Sequence, residues 1–73
     1  MRLTTMVEAL DEAIQLHARA HPGSTPFAVS IRPDKEVIAA SGFYFSQFRV
    51  ELECEHFSGP VTYVIDRYWI AQE

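Results

Sequence analysis

Residues 48–57 read FRVELECEHF, with Phe48, Val50, Leu52, Cys54 and His56 on one parity and Arg49, Glu51, Glu53, Glu55 and Phe57 on the other. Side chains alternate across a strand, so this period of two is the signature of a half-buried strand, one face on a core and the other in water. The stretch reads as the central strand of a sheet. Its wet face carries three carboxylates in a row, the most distinctive chemical display in the chain.

Downstream, Ser58, Gly59 and Pro60 form a tight-turn signal. Residues 61–70, VTYVIDRYWI, then read as the last strand, rich in β-branched and aromatic side chains. Both of its parities are largely apolar, and such a strand is either covered on both sides or lies at an interface. Upstream, residues 42–47 carry Phe43, Tyr44 and Phe45 in succession. In an extended chain three consecutive aromatics cannot all face one core. Residues 27–31 alternate again, with Phe27, Val29 and Ile31 against Ala28 and Ser30, and read as the first strand. Arg32-Pro33-Asp34-Lys35 is a turn signal, proline suiting the second position of a type I turn. Residues 37–41 fit either the second strand of a hairpin or a short helix between Pro33 and Gly42, and the turn chemistry favours the strand.

Residues 3–20 read as one amphipathic helix. Leu3, Met6, Val7, Leu10, Ala13, Ile14 and His17 share a stripe at helical spacing, with Glu8, Glu12, Gln15 and Arg19 opposite. Thr5 and Glu8 match a T-x-x-E capping box. His21-Pro22-Gly23 ends the helix, and residues 22–26, PGSTP, are a loop of ordinary length. The expected architecture is α+β: an N-terminal helix packed on one face of a three- or four-stranded antiparallel meander, a single domain over residues 1–73.

Composition limits the function classes. The chain has ten acidic against six basic side chains, a formal charge of −4 and a single lysine. A module that binds DNA or RNA directly needs a Lys/Arg patch to displace counterions, and an anionic membrane surface makes the same demand, so neither is expected as a partner. No apolar run nears the roughly 20 residues of a spanning helix, and no signal-peptide h-region opens the sequence, which predicts a cytoplasmic protein. With Cys54 the only cysteine, no intrachain disulfide is available.

Three groups of residues are candidates for chemistry. Glu51, Glu53 and Glu55 would lie about 6.8 Å apart along one strand face, twice the spacing of phosphates along one DNA strand, so the row can oppose cations that read alternate phosphates. Asp66 on the neighbouring strand would widen the patch, Arg49 and Arg67 would neutralise it if they lie opposite, and the plain alternative is a solvated face that discourages aggregation. Tyr44, Tyr68 and Trp69 are the aromatic contact candidates, since such side chains bury large area at low entropic cost. His17, His21, Cys54 and His56 are zinc-competent and would converge where helix meets sheet, although His-x3-His and Cys-x-His are not diagnostic spacings. Each also has a structural role available, Cys54 as a small buried hydrophobe.

Catalysis is not expected. Glu53 and Glu55 beside Cys54 oppose thiolate formation, and no phosphate-binding glycine loop, nucleophile elbow or H-E-x-x-H motif is present. In bulk character the chain is similar to the short acidic proteins with which phages and other mobile elements inhibit host nucleases, anti-CRISPR proteins among them, a likeness of type that covers no motif. The reading is therefore a non-enzymatic, cofactor-free module that binds another protein, acting as a nucleic-acid mimic and inhibitor in a basic groove. The alternatives are a homodimeric assembly protein that uses the open sheet face or last strand, and a zinc-stabilised domain.

Overall fold

The computed structural model describes residues 3–38 and 42–70. Helix α1, Leu3–Ala20, is followed by strands β1, Pro26–Ile38, β2, Phe43–Cys54, and β3, Val61–Ile70. The strands form one antiparallel sheet in the order β1-β2-β3. With α1 packed on one face, this is the α+β meander expected from the sequence.

The central strand owes its place to its alternation. Phe48, Val50, Leu52 and Cys54 are buried, joined by Ala9 and Ala13 of α1 and Ile65 of β3. Two alanines at the helix contact let α1 approach the sheet closely, and Met6, Leu10 and Ile14 seal the margin. The stripe is turned from the one read in the sequence: Thr5, Ala9, Ala13 and His17 are buried, whereas Val7 is exposed. α1 lies across β2 and β3 and makes no comparable contact with β1, so Val29 on the helix side of β1 stays exposed.

Three expectations are corrected. First, the Arg32–Lys35 sequence makes no turn: the chain runs straight through Pro33 as a single strand of 13 residues. β1 is an edge strand, where a missing N–H costs the sheet nothing if it faces outward, and a register shift between Pro33 and Lys35 absorbs Asp34 as a bulge. Val37 and Ile38 thus belong to β1, and residues 39–41 lie outside the described ones. Second, the central strand begins at Phe43, taking in the aromatic run, and ends at Cys54. Glu55 and His56 form a turn in which His56 adopts φ 69°. Third, α1 begins at Leu3, so Thr5 lies inside the helix, buried, and is not its N-cap. At the other end the His21 N–H donates to the His17 carbonyl at 2.8 Å, and Gly23 at φ 87° supplies the left-handed residue that turns the chain away.

Candidate functional site

The face of the sheet opposite α1 is covered by no element among the described residues. Register assigns to it Ser30, Arg32 and Lys35 of β1, Phe45, Gln47, Arg49, Glu51 and Glu53 of β2, and Thr62, Val64, Asp66 and Tyr68 of β3. These residues divide into three zones along β2.

At one end, Glu51 sits between Ser30 and Thr62, and Glu53 lies beside Ala28. Both carboxylates border a shallow depression of about 200 Å³ that also includes Ser30 and Pro60. No ion pair among the described residues reaches either one. In the middle, Arg32 and Arg49 face each other across β1 and β2. Like charges directly opposite repel, and the bulge offsets this by aiming Asp34 at Arg49 Nη2, 3.4 Å away. Beside them Gln47 donates to Asp66 Oδ1 at 3.0 Å. At the far end the cross-strand pair Phe45 and Tyr68 brings its ring centroids within 4.9 Å at 41°. Tyr68 here is 61% exposed, and Val64, beside Arg49 in the middle zone, is 50% exposed, a large apolar presentation for two residues of one strand.

The sequence-derived residues are thus partly gathered. Glu51, Glu53 and Tyr68 share the open face. Glu55 lies beyond the end of β2, so the strand row holds two carboxylates and not three. Asp66 is on the face but opposite Gln47, beyond Arg49 from Glu51, and does not extend the acidic zone. Tyr44 lies on the parity of the core and is half-buried, with Trp69 its register partner on β3. Arg67 takes no part in the face: it reaches Glu12 on α1 at 2.6 Å and the Glu8 carbonyl at 3.4 Å. Sequence reasoning missed Phe45, Val64 and Asp34. The parity of Phe45 was readable once β2 began at Phe43; the reach of Asp34 depends on a bulge that looks like a turn.

The histidines and Cys54 occupy the other side of the sheet. His17 is fully buried, its Nδ1 3.1 Å from the Tyr63 hydroxyl and its Nε2 3.0 Å from Ser24 Oγ and 3.3 Å from Cys54 Sγ. One ring thereby ties α1 to β2, β3 and the loop that follows the helix. The His21 ring lies 5.0 Å from that of His17 and meets Phe57 edge-on, while His56 is exposed in its turn. The four zinc-competent residues do not converge, and among the described residues no group of three or more His, Cys, Asp or Glu side chains is placed to hold a metal ion. Ser24, His17 and Tyr63 have the order of a nucleophile, base and orienting group, but the Ser24 N–H is taken by the His21 carbonyl at 3.0 Å and cannot polarise a substrate. Burial of Cys54 predicts that its thiol reacts with a disulfide reagent only through opening of the fold, at least about 100-fold more slowly in buffer than in denaturant. Labelling at equal rates in the two conditions would place Cys54 at the surface.

Compared with described protein families, curated proteins and solved structures, the chain matches none.

Proposed function

We propose that the chain is a non-enzymatic protein-binding module whose open sheet face docks on the basic groove of a partner that itself handles nucleic acid, inhibiting it by occupancy. The observation that carries this reading is the uncovered face itself, with two unpaired carboxylates at one end, exposed Val64 beside Arg49 in the middle and exposed Tyr68 at the other end. Charge acts at long range and favours encounter with a cationic surface; the aromatic end supplies short-range affinity. Arg32 and Arg49 between them break the face into acidic and basic zones. The imitation of phosphate is therefore local to Glu51 and Glu53, spaced about 6.8 Å apart along the strand.

Both glutamates lie at one end of the open face, on the side of β2 away from the core, so reversing their charge leaves the core untouched. Affinity capture from host lysate with the wild type and with an E51K/E53K variant tests the reading. A nucleic-acid-binding protein held by the wild type should bind the variant at least about tenfold more weakly at low salt, the difference shrinking as salt screens it. Equal recovery by both would remove the acidic zone from the contact.

A further inference from the structure

We propose that β3 pairs edge to edge with β3 of a second copy about a two-fold axis, joining two three-stranded sheets into one six-stranded antiparallel sheet. This goes beyond the binding reading and stands without it. The two edges of the sheet differ in kind. β1 carries Pro26 and Pro33, register shifts at both, and the charged residues Arg32, Asp34, Lys35 and Glu36. Those are the devices by which edge strands are protected from pairing. β3 has neither the prolines nor the register shifts: ten residues without proline or glycine, in unbroken register with β2, with only Asp66 and Arg67, of opposite sign, charged. Alternate N–H and C=O groups along such an edge point outward and form a template for another strand.

The side chains select a second copy as that strand. A two-fold axis makes the pairing antiparallel by symmetry. Centred on Ile65, it sets Val64 against Asp66 of the other copy and Thr62 against Tyr68 on the open face, and Tyr63 against Arg67 on the helix side. No like charges meet, whereas centring on Asp66 or Arg67 would oppose each to itself. Above the seam, Glu8, Asp11, Glu12 and Arg19 of α1 line, with Arg67, an open groove of about 330 Å³. The axis runs the two helices antiparallel, which brings Arg19 of each toward the acidic first half of the other.

Val64 is half-exposed, so a charge there leaves the monomer folded, which far-UV circular dichroism checks. Light scattering coupled to gel filtration should give the wild type a mass of twice 8.3 kDa at high concentration. V64D places two Asp–Asp oppositions across the seam and V64K two Lys–Asp pairs, so the dissociation constant of V64D should exceed that of V64K by about tenfold or more. A wild type that stays monomeric up to about 1 mM overturns the proposal. So does a V64D variant that dimerises as well as V64K.

Discussion

Replacing Phe48 with alanine should remove about 3–5 kcal/mol of folding stability, the usual cost of deleting a buried aromatic ring and leaving its cavity. Phe48 is wholly buried at the middle of β2, with Ile65 and Pro33 as its register partners and α1 above it. A 73-residue domain holds a total of about 4–11 kcal/mol at ordinary stability per residue. The loss is therefore at least about a quarter of the total and, at the low end of that range, all of it, so F48A should be substantially unfolded or shifted far down in urea midpoint. A two-state urea titration measures it. A loss below about 1 kcal/mol would mean that Phe48 does not occupy the core.

The second large effect is at His17. H17A removes a buried ring and leaves Tyr63, Ser24 and Cys54 without their common partner. Cavity and orphaned polar groups together should cost about 3 kcal/mol. H21A is the control, because His21 is exposed and only its ring contacts are lost; its cost should stay within about 0.5–1 kcal/mol. Equal losses for the two variants would show that the hydrogen bonds of His17 contribute nothing particular. The comparison also separates a structural histidine from a metal ligand, since a shared metal would make the two losses similar.

The alternation of residues 48–54 carried the fold legibly, because a period of two with four apolar residues on one side has no other stable use. The last strand was legible for the same reason, and its two greasy faces are explained by β3 presenting Ile65 inward and Val64 and Tyr68 outward. The Arg32–Lys35 sequence misled because proline and aspartate are turn residues only where the chain is free to turn; on an edge strand they fit a bulge equally well. Thr5 and Glu8 misled similarly, since a capping motif two residues inside a helix caps nothing. The site was less legible than the fold. Whether acids on a strand form a continuous row depends on where the strand ends and on what lies across from them, and both are settled by register, which periodicity alone does not fix.

The open face as the working surface is tested most directly by hydroxyl-radical footprinting of the chain alone and saturated with the protein it captures. Protection should fall on Val64, Tyr68 and Phe45 of the open face, and Val7 and Leu16, exposed on α1, should be unchanged. Protection on α1 with Val64 and Tyr68 still open would contradict the account and move the contact to the helix.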